Sequence, residues 1–513
     1  MISAWTAADV RAAEEPLLAE GVPLMERASF ALATRVLADV RARRGRVRGA
    51  RVALLVGSGN NGGDALHAGA VLARRGVAVT AVLVSERAHP GGLAALRRAG
   101  ARAVELFAAP ERLHAVVADA AGADVVLDGL VGIGARGPLR GLAAEVVAAL
   151  GRAAAGGGRP WVVAVDVPSG IGVDDGAVPG PVLPVGRTVT FGAAKPGLLL
   201  PPAAHLAGEV DVVPIGLALG APPAVRRLAP DDVARSWPVP GPADHKYTRG
   251  VVGVVAGTAT YPGAAVLTAS GAVRAGAGMV RYRGSTPVGQ AVVAARPEVV
   301  TAPGRVQSWV VGPGVPGDQG ADDDGQHERG RAGLAAAAGR LAGLSGGPVP
   351  AVVDAGGLPL LEETSPPWFV LTPHAGELTG LLRARGEDVR REDVESAPLR
   401  WARRAHELTG ATVLLKGGVT VVAGPGVAYA QADAPGWLAT AGAGDVLAGV
   451  LGAMLAARSA EIVRRPEVAV EVAAAAALVH GRAAHRADPG GPVAALDVAE
   501  ALPGTVAELL RPA

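Results

Sequence analysis

The sequence predicts a two-domain α/β protein in which each half winds helices around a largely parallel sheet, and three observations carry that reading. The chain has 513 residues, more than one core of ordinary size serves, so two to four domains are expected. Short β-branched runs alternate with Ala-rich helical stretches along both halves, the pattern of a doubly wound sheet. Half of the residues are hydrophobic but only 3% are aromatic, so the cores are built from small and β-branched side chains that suit closely packed layers.

The elements follow in order. From Val10 to Val40 an amphipathic helical pattern with interleaved Arg and Glu leads into the β-branched run Arg51–Val56, a strand. Further strands are expected at Val77–Val84, Val125–Leu127, Val162–Val165 and Thr188–Phe191, separated by helical stretches. Pro222-Pro223, Pro230 and a Pro/Gly cluster running to Pro242 interrupt the alternation. This sets a domain boundary near residue 222, with domains at 1–222 and 228–513. The second half restarts at Val251–Val255 and alternates through Trp309–Val311, Ala351–Val353 and Val413–Leu415. The polar stretch Asp318–Arg331, with consecutive Asp322, Asp323 and Asp324, reads as a mobile loop. A Ca²⁺ or Mg²⁺ site there is a weaker alternative, because acidic surface runs are usually only solvated.

Composition excludes several classes of function. With 49 basic and 47 acidic residues the formal net charge is +2, which argues against general nucleic-acid binding. The absence of cysteine removes disulfides, thiol catalysis and thiolate metal sites, and is compatible with a reducing cytoplasm. The N-terminus has no basic region leading into an apolar core, so no signal peptide is expected. The most apolar late segment, Val468–His480, is interrupted by Glu471 and falls short of a membrane span. A cytoplasmic homo-oligomer acting on small molecules, with neither nucleic acid nor membrane as partner, is the expectation.

Two glycine-framed, acid-containing motifs carry the chemistry: Gly57-Ser58-Gly59-Asn60-Asn61-Gly62-Gly63-Asp64 and Thr440-Ala441-Gly442-Ala443-Gly444-Asp445. Each lies between a strand or loop and a helical run, where backbone N–H groups and a helix dipole meet an anion. Alone, the first also reads as a glycine-rich β–α turn with an Asp cap. Two further strand ends join it in the first half, at Leu127-Asp128-Gly129 and Val165-Asp166-Val167-Pro168-Ser169-Gly170. In a parallel sheet such carboxyl ends converge on one crevice. Asn61, Asp128 and Ser169 offer hard oxygens for a weakly hydrated monovalent cation, and Asp166 is the better proton-transfer candidate.

These residues, with Leu130-Val131-Gly132-Ile133-Gly134 and Thr190-Phe191-Gly192-Ala193-Ala194-Lys195-Pro196-Gly197, resemble the YjeF N-terminal family, the NAD(P)H-hydrate epimerases, over roughly residues 1–220. The resemblance implies a Rossmann-like domain that interconverts the R and S forms of hydrated NADH and NADPH. It implies that Asn60, Asn61, Gly62, Gly63 and Asp64, with Gly132, Ile133, Gly134, Ala135, Arg136, Gly137 and Pro138, contact the hydrate. Asn61, Asp128 and Ser169 would hold K⁺, and Asp166 would sit at the reacting ring as the catalytic residue. Ala65 stands where the family usually has glycine, so the backbone there is expected outside the left-handed region.

In the second half Asp445 opens a small-residue helix. Taken alone it reads as an N-cap. Beside a phosphate a carboxylate is unfavourable unless it binds Mg²⁺ or takes a proton from an attacking hydroxyl, which points to phosphoryl transfer. Lys416-Gly417-Gly418-Val419-Thr420 follows a strand, although Lys416 alone reads as a surface lysine. Val311-Gly312-Pro313-Gly314 and Leu371-Thr372-Pro373-His374-Ala375-Gly376-Glu377 are two more strand-to-loop turns.

In that order the set resembles the ribokinase-like small-molecule kinases and, more closely, the YjeF C-terminal family of ADP- or ATP-dependent NAD(P)H-hydrate dehydratases, from about residue 228 to the end. The resemblance implies that Gly314, His374 and Asp445 contact the S hydrate. Lys416, Gly417, Gly418, Val419, Thr420 and Gly444 would hold the adenine nucleotide, Asp445 would be the general base, and Mg²⁺ would assist; ADP or ATP is the expected co-substrate, with ADP favoured and the preference not set by the sequence. Asp354-Ala355-Gly356-Gly357 lacks a second acidic residue common in the family, and the polar stretch after Gly317 resembles an insertion. His480 and His485, five apart, miss the same-face spacing of a helical metal pair and read as surface residues. The rival reading is a vitamin-precursor kinase carrying a non-catalytic N-terminal binding module.

Overall fold

In a computed structural model, which describes residues 1–155, 160–317, 324–341, 343, 344 and 346–511, the chain forms two compact units. One is Ser3–Val225; the other comprises Met1–Ile2 and Arg226–Ala513.

After a short opening strand β1 (Ile2–Ala4), which is not part of its sheet, the first unit runs α1 (Ala7–Ala19), α2 (Leu24–Arg44), β2 (Arg51–Val56), α3 (Asn60–Arg74), β3 (Ala78–Leu83), α4 (Pro90–Arg98), β4 (Arg102–Glu105), α5 (Leu113–Ala121), β5 (Val125–Gly129), α6 (Gly141–Ala155), β6 (Trp161–Val165), β7 (Arg187–Phe191) and β8 (Glu209–Val213). Its seven strands lie in the order β4-β3-β2-β5-β6-β7-β8, all parallel. The order reverses between β2 and β5, which opens a crevice at their carboxyl ends. One face carries a core that includes Leu32, Val36, Leu54 and Leu66; the other carries Leu55, Val126, Val146 and Leu150. The amphipathic helical pattern over Val10–Val40 falls on two helices, α1 and α2. Gly21 sits at φ +76 and Pro23 precedes α2, so the chain turns between them.

The second unit continues with β9 (Val225–Arg227), α7 (Pro230–Ser236), β10 (Val251–Val255), α8 (Pro262–Arg274), β11 (Met279–Tyr282), α9 (Thr286–Ala295), β12 (Ser308–Val311), α10 (Gln326–Ala337), β13 (Ala351–Val353), β14 (Phe369–Leu371), α11 (Ala375–Ala384), α12 (Arg391–Ser396), α13 (Pro398–Thr409), β15 (Thr412–Leu415), β16 (Thr420–Ala423), β17 (Ala428–Gln431), α14 (Ala443–Ala457), α15 (Ser459–Arg464), α16 (Glu467–Ala487) and α17 (Ala495–Leu509). Strands β11-β10-β12-β13-β14-β15 are parallel, and β16 and β17 extend the sheet antiparallel. The helices α8, α14, α16 and α17 bury small residues in one core, among them Ala269, Ala448, Ala473 and Ala499.

One expectation is corrected here. Residues Gln326–Arg331 of the expected polar loop begin α10, because Gln326 is fully buried and its amide bonds the Ala256 and Gly257 carbonyls. Asp318, Asp322 and Asp323 lie outside the described residues. Among the described residues no group of three His, Cys, Asp or Glu able to hold a metal occurs, and no helix is long and apolar enough to cross a membrane.

Candidate active sites

In the first unit the turn after β2 passes close under the turn after β5. A Cβ on Gly57 would lie 1.8 Å from the Leu130 carbonyl oxygen, so only glycine permits the crossing. On the other side a Cβ on Gly129 would lie 2.6 Å from the Cβ of Ala65, so α3 starts hard against the end of β5. Ala65 is helical there, as expected for a non-glycine residue. The crossing opens a cavity of about 610 Å³, lined by Asn60, Asn61, Asp64, Gly132, Ile133, Gly134, Ala135 and Asp166, with α1 and α2 closing its far side. Arg11 of α1 donates to the Ile133 carbonyl at 2.8 Å. Five of the expected hydrate contacts are not in this lining. Gly62 turns against the Gly57 carbonyl and Gly63 against His89 and Met25, while Arg136, Gly137 and Pro138 are exposed.

Asp166 is the chemical centre of this cavity. It follows β6 at φ +65, a left-handed conformation that a non-glycine residue holds only when its surroundings enforce it. The enforcement is visible. Its Oδ1 accepts from Lys195 Nζ at 2.5 Å, Thr190 Oγ1 at 3.0 Å and the Phe191 N–H at 3.2 Å. Lys195, only 1% exposed, also donates to Thr190 Oγ1 and the Phe191 carbonyl. These bonds converge on Oδ1 and leave Oδ2 for the cavity. No role was assigned to Lys195 from sequence, although it stands inside the Thr190–Gly197 motif.

The three expected cation ligands gather beside this cavity. Asp128 is fully buried, and its Oδ2 accepts the Ser169 N–H at 2.8 Å. Ser169 Oγ accepts the Val131 N–H at 3.1 Å. The Asn61 side chain packs on Gly132, where an added Cβ would lie 3.2 Å from Asn61 Oδ1. Asn61 Nδ2 is buried without a partner. Burial pushes the Asp128 carboxyl above its usual range against the pull of its Ser169 and Leu130 hydrogen bonds, so a cation there would relieve an uncompensated charge.

In the second unit the carboxyl ends of β13, β14 and β15 deliver Asp354, Thr372 and Lys416 to one place. Lys416 Nζ lies 2.7 Å from Asp354 Oδ1 and 3.8 Å from Glu377 Oε2, and Thr372 Oγ1 donates to the same Asp354 oxygen at 2.8 Å. Lys416 is therefore not a free surface lysine: Asp354, Glu377 and Asp445 together hold its ammonium above its usual range despite burial. Asp445 occupies the first turn of α14, whose cap Gly442 sits at φ +87. A Cβ on Gly444 would lie 3.3 Å from Lys416 Nζ. Burial first, then the Asp354 carboxylate, push the Asp445 carboxyl up to about 7, with Lys416 opposing and Glu377 reinforcing.

His374 caps α11. Its Nδ1 accepts the Gly376 and Glu377 N–H groups at 3.1 and 3.2 Å, and Glu377 Oε2 accepts the His374 N–H in return. Its ring is otherwise exposed, with Nε2 3.5 Å from Glu377 Oε1. Gly314 lies at the end of β12 in a turn tied to Gly257, whose N–H donates to Pro313 at 2.7 Å; no contact joins it to Asp445 among the described residues. Gly417 and Gly418 are exposed in the β15–β16 turn, whereas Val419 is buried away from it.

His480 is not on the surface. It is buried in α16 with its ring bonded to the Ala443 backbone, and burial depresses it to about 4. Sequence reasoning assigned no role to Asp354 or Lys195, and it read His480 as a surface residue. Asp354 and Lys195 stood within quoted strand-end motifs, and His480 stood in an apolar helical run that pointed inward.

Comparison with known proteins agrees with both halves. The family model described as NAD(P)H-hydrate dehydratase matches residues 252–503, and that described as YjeF-related protein N-terminus matches residues 22–197. The chain is 45% identical over 465 residues to the bifunctional NAD(P)H-hydrate repair enzyme Nnr of Mycobacterium tuberculosis, covering 87% of this chain and 88% of that protein. It is 44% identical over 506 residues to the protein of the same name from Mycobacterium leprae, covering 95% and 94%. A separate NAD(P)H-hydrate epimerase of Clavibacter michiganensis is 48% identical over 227 residues, 43% of this chain and 94% of that protein. With this identity over nearly its whole length, and with a family model matched in each half, the chain belongs to the bifunctional NAD(P)H-hydrate repair enzymes.

Proposed function

We propose that Ser3–Val225 interconverts the R and S forms of hydrated NADH and NADPH, and that the second unit dehydrates the S form at the expense of ADP or ATP. One observation carries the dehydratase half: an aspartate held near neutrality, at about 7, in the first turn of a helix whose free N–H groups suit phosphate. Such a group takes a proton at neutral pH and still drives its transfer. Asp445 removes the proton of the C6 hydroxyl, and the oxygen attacks the terminal phosphoryl group. The phosphorylated oxygen then leaves as phosphate with help from the ring-nitrogen lone pair, and loss of a C5 proton restores the dihydronicotinamide. AMP and phosphate result from ADP. Lys416 and the start of α14 stabilise the charge that develops on the phosphoryl oxygens.

In the first unit Asp166, held by Lys195, meets the reacting ring. K⁺ fits the amide, carboxylate and hydroxyl oxygens of Asn61, Asp128 and Ser169, one of which belongs to a carboxylate that burial pushes above its usual range. There it would fix the Gly132–Ala135 loop and neutralise charge. Mg²⁺ fits as a companion of the nucleotide phosphates, since no protein cage of three carboxylates exists among the described residues and Mg²⁺ usually keeps its waters at such sites. When bound it supplies charge neutralisation. The S-specific step explains why both activities share one chain, because epimerisation feeds the unreactive R pool to the dehydratase.

The test is recovery of NADPH absorbance from an R/S hydrate mixture with K⁺, Mg²⁺ and ADP or ATP, against an enzyme-free control. Recovery of both epimers is expected. Recovery of the S fraction alone would reduce the first unit to a binding module, and accumulation of a stable phosphorylated product would favour a small-molecule kinase.

A further inference from the structure

The first-unit cavity holds more proton chemistry than Asp166 alone. Three carboxyl groups reach it, Glu14 from α1, Asp64 from α3 and Asp166 beyond β6. The cations around them are Arg11 on α1 and Lys195 beyond β7. The partners of these carboxyls differ sharply. Asp166 receives an ammonium, a hydroxyl and a backbone N–H on one oxygen, a donor set that suits an ionised carboxylate. Asp64 is 8% exposed, its Oδ1 is buried without a hydrogen-bond partner, and no ion pair reaches it among the described residues. Its burial and the negative charges of Asp166 and Glu14 all favour the neutral acid. Two carboxyl groups on one cavity, one buried without a partner on Oδ1 and the other held by three donors on one oxygen, make an acid–base pair.

We propose that Asp64 is a second catalytic residue of the epimerase, protonating the C6 hydroxyl of the hydrate while Asp166 serves the water that replaces it. This rests on the epimerase reading of the cavity given above. Hydroxide is a poor leaving group. With the Asp64 proton transferred to it, the oxygen departs as water with the C6–O bonding pair, and the N1 lone pair forms a C6=N1 bond. Water then attacks C6 from the other face, its second proton goes to Asp166, and the π pair returns to N1. One water leaves and one enters, so the configuration inverts and the ring is otherwise unchanged. Asp64 ends ionised and Asp166 protonated, and exchange with solvent resets both. The opposite direction begins from the opposite protonation pair, with the two residues exchanging roles.

The experiment uses the full chain with purified R hydrate and K⁺, without nucleotide, following the S epimer by chromatography. Asp64→Asn keeps the shape of the side chain and is expected to lower kcat about 100-fold or more, the range for loss of a general acid, with KM within about threefold. Asp64→Glu, which restores the proton, is expected to recover at least about tenfold over Asp64→Asn. In ¹⁸O-labelled water the wild-type chain should place solvent oxygen on C6 in step with inversion, which tests that the hydroxyl leaves and is replaced, while the kcat loss at near-constant KM and its recovery in Asp64→Glu test that Asp64 supplies the proton. Epimerisation by Asp64→Asn within about threefold of wild type, or inversion by wild type without solvent oxygen, overturns the proposal. A wild-type chain that does not interconvert the epimers at all fails the epimerase reading itself. If Asp64→Asn does not fold, the Asp64→Glu rate and the oxygen label decide.

Discussion

Asp354→Asn tests how the dehydratase base is tuned. Asp445 is lifted from an ordinary 3.8 to about 7, roughly 3 units or ~4 kcal/mol of preference for the neutral form. Burial is the first cause and survives the substitution. The Asp354 carboxylate is the second, and removing it acts twice in one direction. Its repulsion of Asp445 disappears, and the Lys416 ammonium, now bound to Asp354 at 2.7 Å, loses its nearest partner and turns its charge toward Asp445. A close opposite charge moves a carboxyl by about 1–3 units, and Glu377 remains to hold part of the upward push, so a fall of about 1–2 units is expected. Only ionised Asp445 can take the hydroxyl proton. Wild-type kcat/KM should therefore fall about tenfold per unit as pH drops below about 7, whereas the variant should hold its plateau down to about pH 5–6. The plateau itself should be lower, since a weaker base drives the transfer less. The assay is kcat/KM for purified S hydrate with ADP or ATP between pH 5 and 9. An acid limb that stays in place, or moves upward, refutes the argument that Asp354 tunes Asp445.

Asp445→Asn should stabilise the second unit at pH 8. An acid whose folded value lies above its unfolded value costs stability above that value, so the gain should shrink as pH falls through about 7 and vanish near 4. The full shift corresponds to ~4 kcal/mol and solvent screening of a partly exposed group cuts this to ~2 kcal/mol; equal gain at all pH in denaturant unfolding would contradict it. Lys195→Met should destabilise the first unit by about 3–5 kcal/mol, because it leaves the Asp166 charge buried and unpaired. The double variant with Asp166→Asn should recover at least about half of that loss, and a single-variant loss below ~1 kcal/mol would show that the pair is not strongly coupled.

Much of the fold was legible because its signals are local. The run Arg51–Val56, the glycines after it and the helical stretch behind them state a strand, a crossing and a helix within two dozen residues. The same holds for Asp128, Asp166 and Ser169, each marked by a strand end. What was not legible depends on partners far away in sequence. Lysine is usually solvated, so neither Lys195 nor Lys416 announced the carboxylate that would hold it. The short antiparallel pair β16 and β17 lacks a long β-branched run, and α10 begins inside a polar stretch because one buried glutamine finds two carbonyls. His480 was misread through its spacing to His485, when the informative fact was the apolar run Val472–Val479 that carries it inward. Its ring stays neutral there because burial disfavours the charged form, and the helix that holds Asp445 rests its first residue, Ala443, against it.

The two units share a device and use it in opposite senses. Each brings an aspartate and a lysine together at the carboxyl edge of a parallel sheet, from the neighbouring β6 and β7 in the first unit and from β13 and β15, with β14 between them, in the second. In the first, Lys195 binds Asp166 directly, and a threonine and a backbone N–H bind the same oxygen, so the cation is spent on the group proposed to meet the substrate. In the second, Lys416 binds Asp354 in preference to Asp445, so the cation is spent on a neighbour whose remaining negative charge pushes the reactive carboxyl toward neutrality. The difference follows from the chemistry each must perform. A phosphoryl acceptor must lose its proton to a base strong enough to hold it at pH 7, which an aspartate paired with lysine is not. A residue that accepts the proton of an incoming water beside a cationic ring needs no such elevation, because the electrophile has already acidified that water. The position of one ammonium, on the reacting carboxylate or on its neighbour, thus separates the two proton-transfer strategies, and exchanging the strategies would require moving a lysine rather than the aspartate.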